Sequence, residues 1–342
     1  MSLLCERHQF NLPDSNLLVV ADRYYLHANV SNEDGVTLVL AHCSSGHKEQ
    51  WLPTVTKLLD LCSRSPSLQP RWRIREAWAL DAPNHGDSAI LNRAALLGHQ
   101  PLSIQDYADM LGFFVRSDFV KGHSIVAIGH SASTSAWTLV CAGNSPPPLR
   151  ALILVEPVML PPPVTERDLK KGDTNTSTVL ARQEVWDDFA TLRGWMLKRY
   201  PWKIWDPRIF DLYLKHGFVE VTDTLAGKTR VTTKCRKAQE VGYYYANDHI
   251  VAGKVTSTAC ARHPVHALFS ERPEMVSLRA RKAICDVSEG RLMASISIVP
   301  KCGHLAVQEN PEGVAEALFG ILLSSCEKDP NGGAWPATSA RL

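Results

Sequence analysis

Ser131 stands in the stretch IVAIGHSASTSAW (residues 125–137), directly after an apolar run and directly before a stretch able to open a helix. A serine there either caps the helix with its side-chain oxygen or serves as a nucleophile held clear of a strained strand-to-helix turn. A serine hydroxyl is a weak nucleophile at neutral pH. It needs a base, usually a histidine whose tautomer is fixed by a carboxylate. The stretch KCGHLAVQENPEGV offers His304 in a Gly-His turn ahead of a capped helix. The anionic intermediate of such chemistry also needs backbone donors. The Ala132 amide, one residue past the serine, would be one. The turn AHCSSGHKEQW, with Ser44 two residues past His42, is expected to supply the other, and His42 itself is read as holding that turn.

His42, His47, His85, His130 and His304 all fall in loops on the same expected face, which raises the question of a metal. Histidine zinc sites want a carboxylate or thiolate at close helical or hairpin spacing, and His42 and His47 lack it. No metal and no other cofactor is expected.

The elements that must carry these residues alternate. LLVVADRYYLHANV (17–30) reads as a hairpin around Asp22-Arg23, and VTLVLAH (36–42) as a strand buried on both faces. Trp51, Val55, Leu58, Leu59 and Cys62 share one helical face. IREAWALDAP, SIVAIGH and RALILVEP read as strands, with helices in IQDYADMLGFFVRS and SASTSAWTLVCAG between them. Such alternation predicts a parallel sheet covered on both faces. From residue 157 to 262 the pattern breaks into a proline cluster, a polar stretch and aromatic helical segments, read as a mostly helical lid. The aromatic residues Trp186, Phe189, Trp195, Tyr200, Trp202 and Trp205 are expected to form the lid's own core and, in part, the roof of an apolar pocket. PVHALFS and MASISIVPKCGH then resume the strands, and PEGVAEALFGILLSSC closes as a helix capped by Asn310. The expected division is core 1–156, lid 157–262, core 263–327 and a polar tail 328–342.

Taken together, AHCSSGHKE, DAPNHGDS, GHSAS, LVEP and GHLAVQENPE resemble the α/β-hydrolase superfamily. With the lid segment WDPRIFDLYLKHGF (205–218), they are similar to a fungal peroxisomal group that includes hydrolases of host-selective toxin clusters and a yeast lipase-like enzyme. The resemblance runs over about residues 15–325 and implies the α/β-hydrolase fold, a mostly parallel sheet with a helical lid inserted after the sixth strand. It implies a serine hydrolase acting through an acyl-enzyme on an ester or thioester with an apolar acyl part, in toxin or other secondary-metabolite biosynthesis. Ser133 stands where the G-x-S-x-G pattern has its second glycine. The acid is the open member. Relatives carry an aspartate after the seventh strand, where FSERPEMV has Pro273, with Glu274 one residue late and Glu271 two early. Glu156, closing LVEP at the end of the sixth strand, is the alternative used in some lipases.

Composition narrows the partners. Against 37 basic residues stand 35 acidic, a net charge of +2, which gives no electrostatic footprint for nucleic acid or an anionic membrane. No apolar run is long enough to span a bilayer, no secretory segment opens the chain, and nine cysteines without a C-x-x-C pair read as reduced thiols of an intracellular protein. The ending Ala340-Arg341-Leu342 is a variant of the S-K-L peroxisomal address on a polar tail, implying an import receptor as partner and the cytoplasm as the alternative location. The rival reading is a non-catalytic ligand-binding or scaffold protein on the same fold, favoured by Ser133 and the displaced acid.

Overall fold

The computed structural model describes residues 2–223 and 227–328. An eight-stranded sheet forms the centre, in the order β1-β2-β4-β3-β5-β6-β10-β11. Its strands are β1 (Leu3–Asn11), β2 (Leu18–Leu26), β3 (Val36–Ala41), β4 (Ile74–Leu80), β5 (Ser124–His130), β6 (Leu149–Val155), β10 (Val265–Ser270) and β11 (Ser295–Val299). From β4 to β11 neighbouring strands run parallel, and β1 and β2 are antiparallel at one edge. β3, β5 and β6 are apolar almost throughout because both of their faces are covered, and they read as continuous hydrophobic runs.

Helices α1 (Leu52–Arg64), α2 (Gly86–Leu91), α3 (Ile104–Phe114) and α4 (Ala132–Ala142) follow β3, β4 and β5. One apolar layer joins Trp137, Tyr107 and Phe114 to one sheet face, and another joins Trp51, Leu58 and Leu318 to the other. Between β6 and β10 lie α5 (Glu166–Ala181), α6 (Phe189–Leu197), α7 (Pro207–Gly217), α8 (Lys237–Glu240) and α9 (Ala246–Arg262). The same segment holds a separate antiparallel sheet of β7 (Val185–Trp186), β8 (Phe218–Asp223) and β9 (Lys228–Thr233), which the expectation of a helical lid did not contain. This segment has its own small core of Trp186, Leu192, Met196, Phe210, Tyr213 and Phe218. By contrast, α9 packs its Ala252 and Ala259 into the main core beside α4, so its packing is that of a sheet-covering helix. After β10 come α10 (Leu278–Ile284), α11 (Ala306–Glu309) and α12 (Pro311–Lys328), with the Gly313 amide bonded to the Asn310 side chain at 2.9 Å.

The N-terminal hairpin differs from expectation. Asp22 and Arg23 are not a turn but the middle of β2, and the hairpin is formed by β1 with β2. The charges are tolerated mid-strand because each has a partner: Arg7 Nε donates to Asp22 at 2.8 Å and Arg23 Nε donates to Glu76 at 2.8 Å.

Lys48 ties the turn after β3 to the turn after β4. Fully buried, it donates to Glu49 (2.8 Å), Asp81 (2.9 Å) and Asp87 (2.9 Å). Burial works to lower its pKa, and the carboxylates of Asp81, Glu49, Asp22 and Asp87 outweigh burial and raise it. Gly86, at φ 52°, is obligatory beside this knot, since a Cβ there would strike the Asp81 carboxylate. The H-K-E and D-A-P-N-H-G-D-S motifs are thus two halves of one buried charge cluster.

Candidate active site

Ser131 sits where β5 ends and α4 begins, with φ 55° and ψ −119°, a backbone conformation that L side chains rarely adopt. Three features hold it there. The Ser131 amide donates to the Val155 carbonyl at 2.9 Å. Gly129 leaves room for Trp137, whose ring a Cβ would meet at 2.8 Å. The Ser133 hydroxyl accepts from the His130 amide at 2.8 Å and lies 2.9 Å from the Ala41 carbonyl. Ser133 therefore fills the position of the usual glycine with a hydrogen-bonded group that fastens β5 to β3.

The Ser131 hydroxyl lies 2.8 Å from His304 Nε2, and His304 Nδ1 lies 3.0 Å from Glu156 Oε2. All three residues are buried. Glu156 is itself at φ 50°, with its amide bonded to the Leu268 carbonyl at 2.7 Å across the β6–β10 join. Its other oxygen, Oε1, accepts from the Ser270 amide (2.7 Å), the Ser270 hydroxyl (2.9 Å) and Arg281 Nη2 (3.3 Å). Burial works to raise the Glu156 carboxyl, but the bonds from His304 and Ser270 outweigh it and hold the pKa below the usual value. A carboxylate so placed accepts a hydrogen bond from Nδ1–H and leaves Nε2 free to accept from the serine.

The other two carboxylates lie elsewhere. Glu274 is exposed and receives Arg272 Nε at 2.8 Å, with its head against Gly303, where a Cβ would collide with it. Arg272 also bridges to Glu309, which accepts the Gly303 amide at 2.9 Å. Glu271 accepts the Lys301 amide at 2.7 Å and braces the turn after β11. Among the described residues neither is hydrogen-bonded to His304, whose Nδ1 faces Glu156.

His130 donates from Nε2 to the His304 carbonyl at 2.9 Å and fixes the loop that carries the imidazole. Burial pushes its pKa down to about 4, so it stays neutral. His42 accepts the Ala82 amide at Nε2 (3.0 Å), which puts its proton on Nδ1, 2.7 Å from the Cys43 carbonyl. Burial lowers its pKa to about 3. His85 Nε2 accepts the Ser45 amide at 3.2 Å, and His47 Nδ1 faces Glu49 at 2.9 Å. Among the described residues no three His, Cys, Asp or Glu side chains gather as a metal cluster.

The Ala132 amide is in the first turn of α4, where amides have no intrahelical acceptor. In the turn after β3 the Ser45 amide goes to His85 and the Gly46 amide to Cys43, whereas no hydrogen bond of the Ser44 amide occurs among the described residues. Over this turn the inserted segment places Glu240, bonded to the Ser45 hydroxyl and to Arg182. Arg281, Ser270 and Glu240 were not singled out in the sequence. A buried arginine eleven residues past the end of β10 carries no local signal, because its partner lies 125 residues earlier. Ala340, Arg341 and Leu342 lie outside the described residues.

A mostly parallel sheet with a serine at the β5–α4 turn, and a histidine after the last strand, define the α/β-hydrolase class of fold. The chain belongs to the alpha/beta hydrolase family, whose model matches residues 38–317, and is a hydrolase in that general sense. No curated protein matches it by sequence. Among solved structures it is similar to the peroxisomal alpha-beta-hydrolase Lpx1 of Saccharomyces cerevisiae, at 17% identity and TM-score 0.69, covering 100% of this chain and 93% of that one. It is also similar to a thioesterase domain from the curacin biosynthetic pathway (14%, TM-score 0.61, 94% and 99% covered). An M. tuberculosis esterase is a third (14%, TM-score 0.61, 93% and 92% covered). At these identities the likeness is one of fold.

Proposed function

We propose that the protein is a serine hydrolase that cleaves an ester or thioester with an apolar acyl part through an acyl-enzyme. The observation that carries the reading is the Ser131–His304–Glu156 relay, with a nucleophile at positive φ and contacts of 2.8 and 3.0 Å. Ser131 attacks the carbonyl as His304 takes its proton. The Ala132 and Ser44 amides receive the developing oxyanion, and His304 returns the proton to the leaving group. Water then repeats the sequence on the acyl-enzyme. The similarity to an esterase and a thioesterase domain supports this bond class, and the Ser133 hydroxyl, being satisfied, removes one argument for a non-catalytic protein.

A fluorophosphonate probe tests it: wild-type protein should be labelled and Ser131→Ala should not. Ser131→Ala and His304→Ala should each lower turnover of short p-nitrophenyl esters by about 10³-fold or more, non-additively, with the fold intact. Retention of more than about a tenth of the activity by both would end the triad assignment.

The reading extends to the peroxisome, on the terminal Ala340-Arg341-Leu342 and the likeness to a peroxisomal hydrolase, and to fungal secondary metabolism, including toxin biosynthesis, on the motif resemblance. Masking the tripeptide with a C-terminal fluorescent fusion should disperse a punctate signal that an N-terminal fusion keeps. A diffuse N-terminal fusion would make the location cytoplasmic.

A further inference from the structure

The near-neutral balance of the whole chain conceals a local excess. Residues 189–205, FATLRGWMLKRYPWKIW, hold four basic side chains and no acidic one. In the structure they form α6 and the short turn after it. The inner face of α6 puts Leu192 and Met196 into the small core of the inserted segment. Its outer face, at i, i+4 and i+8, presents Phe189, Arg193 and Leu197, and Tyr200 follows.

Phe189, Leu197, Tyr200 and Ile204 are all exposed, Tyr200 at 66%. Large apolar side chains on a water-facing surface are unremarkable singly, but these are neighbours in one short stretch. The basic residues are interleaved with aromatic rings: Arg199 lies 4.5 Å above the Trp195 ring and Lys203 3.8 Å above that of Tyr200. Lys198, Arg199 and Lys203 make no ion pair among the described residues. The nearby acids have other commitments, with Asp187 bound to Lys228 at 2.9 Å, Asp188 capping α6, and Asp211 3.9 Å from Arg193.

We propose that this face of the inserted segment docks on an anionic phospholipid surface, with Leu197, Tyr200 and Ile204 entering the headgroup–acyl boundary and Lys198, Arg199 and Lys203 meeting lipid phosphates. Exposed aromatic and aliphatic side chains ringed by Lys and Arg are the composition of an interfacial anchor. Charge complementarity selects the occupant. A second copy docked through the same patch by a twofold axis would set like charges against one another, whereas an anionic bilayer neutralises them. The site lies close to the catalytic loop, because the Asp206 amide at its end donates to the Gln308 carbonyl at 2.9 Å, four residues past His304. A hydrolase so attached would meet amphiphilic substrate at the bilayer surface.

Vesicle flotation of the full chain tests the proposal. The protein should float with phosphatidylcholine vesicles containing phosphatidylserine and at least about tenfold more weakly with phosphatidylcholine alone, and added salt should weaken the binding. Lys198→Gln and Lys203→Gln should each cost about fivefold in vesicle affinity. Leu197→Ser with Tyr200→Ser should abolish flotation, and all these variants should keep the wild-type melting temperature and hydrolysis of a soluble ester. Flotation does not pass through Ser131, so it reads the same whatever the labelling experiment returns. No binding to either vesicle, equal binding to both, or variants that float like wild type would overturn the proposal. So would a concentration-dependent dimer that the Leu197→Ser, Tyr200→Ser variant loses, since the patch would then bind a second copy.

Discussion

Glu156 carries a charge where water does not reach, and Ser270, Arg281 and His304 hold it there. In the proposed mechanism a buried carboxylate with so many donors would serve His304 in two ways, fixing the Nδ1 proton and stabilising the imidazolium that forms in the reaction. Replacing it by an amide keeps the volume but loses both services. Glu156→Gln should lower kcat by about 10²- to 10⁴-fold at near-constant stability, and Glu274→Gln, which removes only an exposed partner of Arg272, by less than about tenfold. Steady-state kinetics of the two variants decide it, and the reverse order would move the acid to the turn after β10. The sequence narrowed this residue to three glutamates and went no further. All three lie at strand ends, and which one reaches the imidazole depends on where β6 and β10 stand in the sheet. Arg281 was wholly illegible, since an arginine on an amphipathic helix ordinarily faces water.

At the scale of elements, the turn between β5 and α4 is held by a side chain where the G-x-S-x-G pattern has a glycine. The Ser133 hydroxyl is the acceptor for a buried His130 amide. Ser133→Ala leaves that amide without a partner and should cost about 1–3 kcal/mol in denaturant unfolding, with some loss of turnover because His130 also steadies the His304 loop. An unchanged unfolding midpoint would mean that the turn is held by Gly129 and Trp137 packing alone. The inner strands were legible because double burial writes them as apolar runs of five to seven residues. The first hairpin was not, because Asp22-Arg23 is turn chemistry locally and becomes strand chemistry only with Arg7 and Glu76 beside it. The small sheet β7–β9 was hidden for another reason. Its strands are short and largely exposed, so no clean alternation marks them.

For the whole molecule, the buried histidines set the response to acid. Burial first of all depresses His42 to about 3 and His130 to about 4, and pushes His85 well below its ordinary value. Unfolding returns each to about 6.5. Between those limits the unfolded chain binds protons that the folded chain refuses, so stability is fully present above about pH 6.5 and is lost as pH falls toward the folded values. His42 and His130 should each remove about 2 kcal/mol between about pH 7 and about pH 5, with His85 acting in the same direction, and denaturant titrations at the two values measure the loss. A flat result would show that these rings are solvated. Glu156, with its depressed pKa, loses its contribution only at still lower pH, which steepens the same trend.

The separation of Glu156 from His304 has a consequence in time. They lie 148 residues apart, and the Glu156 amide is fastened only by Leu268, on the far side of the inserted segment. On the ribosome, Ser131 and Glu156 emerge early on neighbouring strands, while His304 follows after roughly 7–30 s at ordinary rates of synthesis. Through that interval the nascent chain carries Ser131 without the group proposed to take its proton. Under the proposed mechanism every fragment that ends before residue 304 is inert, so truncated products of interrupted translation would carry no hydrolytic activity to misdirect.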